Sequence, residues 1–140
     1  MATQIASQLA GSHLFRRVLR SNAVFSAVSG AVLVLGAGPL VSLFGLNAPI
    51  VFVVIGVGPL LSAAWLFQAT AREPISRSFV LLVALLDTAW VLISAIGLLA
   101  NWFPVTTEGK WIILFVADAV GILAALEFYS LWRTRESRSG

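Results

Sequence analysis

Between Arg77 and Asn101 lie residues 78–100, an apolar run long enough to cross a bilayer, and its only charge is Asp87. Asp87 follows Arg77 by ten residues, which at about 1.5 Å per helical residue puts it about 15 Å into a hydrocarbon layer about 30 Å thick. An aspartate at the centre of a span costs about 2.5–3.5 kcal/mol to insert, so it must face protein and find a partner. Ser94 falls on the same helical face seven residues on, with Trp90 and Val91 between them on the wheel. Asp87, Trp90 and Ser94 therefore form a candidate polar stripe.

The rest of the chain repeats this pattern. With 59% hydrophobic residues, 11% charged and a mean hydropathy of +0.97, it departs far from soluble domains, in which about a quarter of residues are charged. The apolar residues form four blocks, about 23–44, 49–69, 79–100 and 111–132, inside one domain of residues 21–132. The fold expected is all-α, an integral membrane four-helix antiparallel bundle. Residues 1–20 read as an interfacial segment, with Ile5, Leu9, Leu14, Phe15, Val18 and Leu19 spaced for a surface helix that Gly11 weakens. Residues 133–140 read as a disordered hydrophilic tail.

Several chemistries are excluded by what the chain lacks. There is no cysteine, hence no disulfide, thiolate metal site or thiol nucleophile, and the single histidine, His13, cannot build a multi-histidine site. No nucleophile and base pair is legible within the spans, so no enzymatic activity, cofactor or metal is expected. The net charge of +3 comes from arginines flanking the spans, which points to topology and anionic lipid headgroups rather than nucleic acid.

Glycine, serine and proline punctuate the spans. Ser26 and Gly30, and likewise Gly58 and Ser62, are four apart, a spacing that admits a neighbouring helix at close range. Gly36-Ala37-Gly38-Pro39 should kink or end the first helix, leaving residues 40–46 to bend along the outer surface, and Pro59 should kink the second. Residues 36–42 and 56–62 echo one another, a likeness read as accidental because the two prolines fall at different depths. Pro74 is a stop between helices, while Trp102 and Trp111 have the placement of interfacial anchors.

Eight of the nine lysines and arginines lie in the amino-terminal segment, the loop around residues 70–78 and the tail, against Lys110 alone on the other side. Both termini should therefore be cytoplasmic.

The fourth block carries Asp118, eight residues after Lys110 and so about 12 Å below the outer surface. Asp87 and Asp118 could thus share a depth and face one another, one or both holding a proton. Glu127 lies nine residues beyond Asp118, about 180° away on the wheel, and reads as an interfacial residue pairing with Arg20 or Arg133 at the level of Asn22 and Gln68. Gly121 and Ala125 offer a close-packing stripe on the Asp118 face.

The runs Arg20-Ser21-Asn22-Ala23-Val24-Phe25-Ser26-Ala27-Val28-Ser29-Gly30, Leu85-Leu86-Asp87-Thr88-Ala89-Trp90-Val91-Leu92 and Val116-Ala117-Asp118 resemble small uncharacterised bacterial four-span membrane proteins. The general build is also similar to DoxX-like proteins. The resemblance implies a bacterial inner membrane location and no established activity. Small multidrug exporters share the span number, but the acidic residue their first span requires is missing here.

Two functions follow, the first expected ahead of the second. One is a scaffold or accessory subunit packing against membrane lipids and another membrane protein or a second copy of itself. The other is a proton-coupled transporter or channel for a small solute or cation, built as an oligomer around Asp87 and Asp118.

Overall fold

In the computed structural model, residues 2–72 and 75–139 are described, without the side chains of residues 3–12 and 136–139. The expectations that rest on Ile5, Leu9, Pro74 and Arg138 fall outside the described residues and side chains. Every regular element described is helical: α1 Ala2–Leu35, α2 Ala37–Phe44, α3 Ile50–Ala71, α4 Arg77–Leu99 and α5 Thr107–Ser139. Four of them contain stretches long and apolar enough to cross a membrane, His13–Leu35, Ile50–Ala71, Arg77–Leu99 and Thr107–Arg135.

The helix boundaries have local causes. The helix breaks at Gly36, where the N–H still reaches the Val32 carbonyl and the carbonyl accepts from Leu40, so the chain turns without losing its hydrogen bonds. α2 stops at Gly45, whose φ of 71° suits glycine, and the Leu46 N–H closes back on Val41 at 2.9 Å. Ser76 caps α4 by accepting from the Phe79 N–H, and the Thr106 hydroxyl does the same for Gly109 at the start of α5. Pro59 sits inside α3 without ending it.

The first span is displaced from its expected position. Its apolar stretch is His13–Leu35 rather than residues 23–44, because Gly36 interrupts the helix while α1 runs unbroken through Gly11 and the arginines. Phe15, Val18 and Leu19 are buried, and the Arg16 guanidinium turns to donate to the Thr70 carbonyl at 3.0 Å. Long cationic side chains let a helix carry arginines beside buried leucines. At the other end of the chain α5 passes Trp132 and continues through Ser139 in place of a disordered tail. Thr134 holds it there, accepting from Arg77 and bonding back to Ser130.

α1 packs along both α3 and α5, α2 touches α1, α3 and α5, and α4 packs along α5. α1 comes close to α3 where a Cβ placed on Gly30 would stand 2.8 Å from the Gly56 carbonyl and one on Gly56 would stand 2.9 Å from the Gly30 carbonyl. Backbone meets backbone there, the contact small residues make possible between apolar helices. Gly58, the glycine expected at a contact, faces open space. Two apolar clusters close the ends: Phe15, Leu19, Leu66, Val80 and Leu131 at the end holding Arg77, and Ala37, Phe44 and Phe52 at the end holding α2.

Gly56→Val should therefore destabilise the fold by about 1–3 kcal/mol through overpacking, while Gly58→Val leaves it within about 0.5 kcal/mol. Thermal unfolding in detergent, followed by loss of helical signal, distinguishes the two, and equal shifts would contradict the Gly30–Gly56 contact.

Candidate functional site

Three helices each deliver one polar side chain to a common point. Asn22 of α1 donates through Nδ2 to Asp87 Oδ2 of α4 at 2.5 Å and to Glu127 Oε1 of α5 at 2.6 Å. Its own Oδ1 accepts from Ser26 one turn further along α1 at 3.1 Å. Asn22 is 3% exposed and Glu127 is 0% exposed, whereas Asp87 is only partly buried, leaving the cluster open on one side.

The position of each group follows from the helix it rides on. Asn22 lies nine residues into the stretch His13–Leu35, Asp87 ten into Arg77–Leu99, and Glu127 eight before the end of Thr107–Arg135. At about 1.5 Å per residue all three are about 12–15 Å from the same end of their helices. Asn22 and Glu127 lie deeper than the membrane edge expected for them because α1 begins before the expected first span and α5 runs past the expected end of the fourth. The faces agree as well: Val80, Val83, Ala84 and Ser94 are buried with Asp87, and Val120, Ala124, Leu131 and Thr134 with Glu127.

Asp87 and Asp118 are not brought together. Asp118 is exposed on the outward face of α5, with no hydrogen bond or ion pair among the described residues. The reason is rotational: two residues nine apart on one helix point in opposite directions, and Glu127 is the one that faces inward. The expected pairing of Glu127 with Arg20 or Arg133 is replaced as well, since Arg20 is exposed and Arg133 donates to the Tyr129 hydroxyl at 2.8 Å. Ser94 is buried on the Asp87 face but takes no part in the Asn22 hydrogen bonds, and Trp90 is 48% exposed. Gln68 is exposed.

Chemically the cluster holds two carboxyl groups and one amide. Glu127 Oε2 is buried and has no hydrogen-bond partner among the described residues, so one oxygen remains able to accept a proton or to contact a small cation. Among the described residues no three or more His, Cys, Asp or Glu side chains gather to hold a metal ion. On the side of α1 away from Asn22, His13, Arg17, Arg20 and Val24 line an open groove of about 820 Å³.

Comparison with protein-family models, with curated proteins and with solved structures finds no match for this chain.

Removing the amide should cost more than removing the whole cluster. Asn22→Leu leaves the buried Glu127 and the partly buried Asp87 without that donor and should destabilise by about 1–3 kcal/mol. The triple variant Asn22→Leu, Asp87→Leu, Glu127→Leu should recover most of that loss, since a well-filled apolar replacement of a polar network is often neutral or stabilising. Denaturation midpoints in detergent measure both, and a triple variant less stable than Asn22→Leu would contradict the account.

Proposed function

We propose that this is a multi-pass membrane protein of the bacterial inner membrane, both termini cytoplasmic, that exchanges protons at Asn22, Asp87 and Glu127 to drive passage of a small solute or cation. The observation carrying the reading is the meeting of two carboxyl side chains at one amide, on three helices, with Glu127 Oε2 unpartnered. Magnitudes favour it over simple interhelical glue. Two acidic side chains at this depth cost on the order of 5–7 kcal/mol to insert, whereas hydrogen bonds between membrane helices return about 0.6–2 kcal/mol each. Asn22 bonding to a serine would tie the same helices at lower cost.

The partition of roles follows from exposure. Asp87, partly exposed, is the carboxyl that a proton reaches first, and Glu127, fully buried, is the one further inside the protein. Asn22 keeps the two carboxyls within reach of one another while a proton passes between them. Intramembrane acids placed this way serve proton relays and cation sites in transporters.

The second reading, a scaffold or accessory subunit, is favoured by the exposure of Asp118 in mid-helix, which asks for a covering partner. Membrane lipids remain expected partners in either case, with the arginines of the α1 groove suited to anionic headgroups.

Purified protein in liposomes loaded with a pH-sensitive dye should dissipate an imposed pH gradient. Glu127→Gln and Asp87→Asn, which keep shape and hydrogen-bonding capacity, should each slow proton flux at least about tenfold, a loss of about 1.4 kcal/mol or more in barrier terms, with helical content unchanged. Absence of flux in the unaltered protein, or flux indifferent to both substitutions, would overturn the proposal.

A further inference from the structure

Two guanidinium groups of α1 have no acceptor within the chain. Arg16 donates to the Thr70 carbonyl, whereas Arg17 and Arg20 are exposed and their side chains make no hydrogen bond or ion pair among the described residues. They lie four and seven residues beyond His13, where the apolar stretch of α1 begins, about 6 and 10 Å along the helix. α1 contains no aspartate or glutamate. Asp87 and Glu127 are bound to Asn22, which lies two residues from Arg20 and so on the other side of the helix. Three arginines within five residues therefore stand on a helix that supplies no negative charge, a positive surface in need of an anion.

The groove they line, of about 820 Å³, changes character along its length. Arg16, Arg17 and Arg20 occupy the end nearer Arg77, and Val24, Phe25 and Val28 continue the same face of α1 toward Leu35. Val24 and Val28 are both exposed, and Val28 stands about 22 Å from His13 along the axis. A free phosphate would answer the arginines and leave the valines bare. A phospholipid standing beside the helix answers both, with its phosphate against the guanidinium forks and its chains against the apolar half. The described lining holds no carboxylate to receive the ammonium of a zwitterionic headgroup, so the charge complementarity is with a headgroup that is negative overall.

We infer that this groove seats one anionic phospholipid, its phosphate held between Arg17 and Arg20 and an acyl chain laid along Val24 and Val28. With both termini cytoplasmic, the lipid belongs to the inner leaflet. The inference rests on the multi-pass membrane reading proposed above and is independent of proton exchange at Asn22, Asp87 and Glu127, which lie on the other side of α1.

The test titrates the full chain, stripped of lipid in detergent, with phosphatidylglycerol or with phosphatidylcholine of the same chains, and counts bound lipids by native mass spectrometry. The first phosphatidylglycerol should bind at least about tenfold tighter than the first phosphatidylcholine. Arg17→Gln combined with Arg20→Gln should weaken it about thirtyfold, the weight of two arginines beside an anionic headgroup. Arg133→Gln combined with Arg135→Gln, an equal change of charge on α5, should stay within about threefold of the unaltered chain. Glycerol phosphate, a headgroup without chains, should displace the lipid only at concentrations at least about a hundredfold higher. No preference for phosphatidylglycerol in the unaltered chain, equal losses in the two double variants, or displacement by glycerol phosphate at the lipid's own concentration would each overturn the inference. The lipid comparison on the unaltered chain needs no variant to fold, and none of these readouts requires flux. Release of the chain from membranes by alkaline carbonate would overturn the multi-pass reading itself.

Discussion

An amide nitrogen carries two hydrogens, and Asn22 gives one to each of two carboxyl groups on two other helices. Away from water this small geometric fact has large consequences, since each carboxyl left without a donor would bear its full desolvation cost. The packing around it serves the same end. α1 contacts α5 directly, α4 follows α5, and α4 reaches α1 mainly through side chains, so Asn22 spans a junction that backbone contact does not close. The Gly30–Gly56 contact fixes α1 against α3 two turns beyond Asn22. That contact limits how far α1 can rotate, and with it where the amide points.

The chain's own order made much of this legible. Four apolar blocks predict four long helices, and the described residues contain them, because length and hydropathy leave an unbroken apolar run few alternatives to a helix. Asp87 was identifiable by its isolation within such a run. Its partners were harder to find because they depend on where helices start and stop. A span begun at Ala23 puts Asn22 at the membrane surface, whereas a stretch beginning at His13 puts it near the centre. Arginines near a span end can turn toward water or a carbonyl while the helix continues, as Arg16 does toward the Thr70 carbonyl, so the first helix starts well before its expected boundary.

Choosing between Asp118 and Glu127 needed a rotation, for which a signal was present. The Glu127 face carries the hydroxyls of Ser130 and Thr134 with Ala124, while the Asp118 face, although it holds Gly121 and Ala125, carries the aromatic rings of Phe115, Tyr129 and Trp132 and the branched Ile122. Bulky aromatic and branched side chains suit lipid, and small or hydroxyl-bearing ones suit helix contacts. Read for size rather than for charge, α5 would have turned Glu127 inward. The echo between residues 36–42 and 56–62 has a similar lesson. The first copy breaks a helix at Gly36 and the second, with its own Gly-Pro pair, stays inside α3, so like residues take unlike structures.

α5 thus carries acids on opposite sides, Glu127 turned into the protein and Asp118 turned out of it. A helix is stiff over nine residues, so rotation of α5 about its axis moves both carboxyls together. A turn of α5 that brought Asp118 inward would carry Glu127 away from Asn22 Nδ2, so the hydrogen bond from Asn22 selects which of the two acids faces protein.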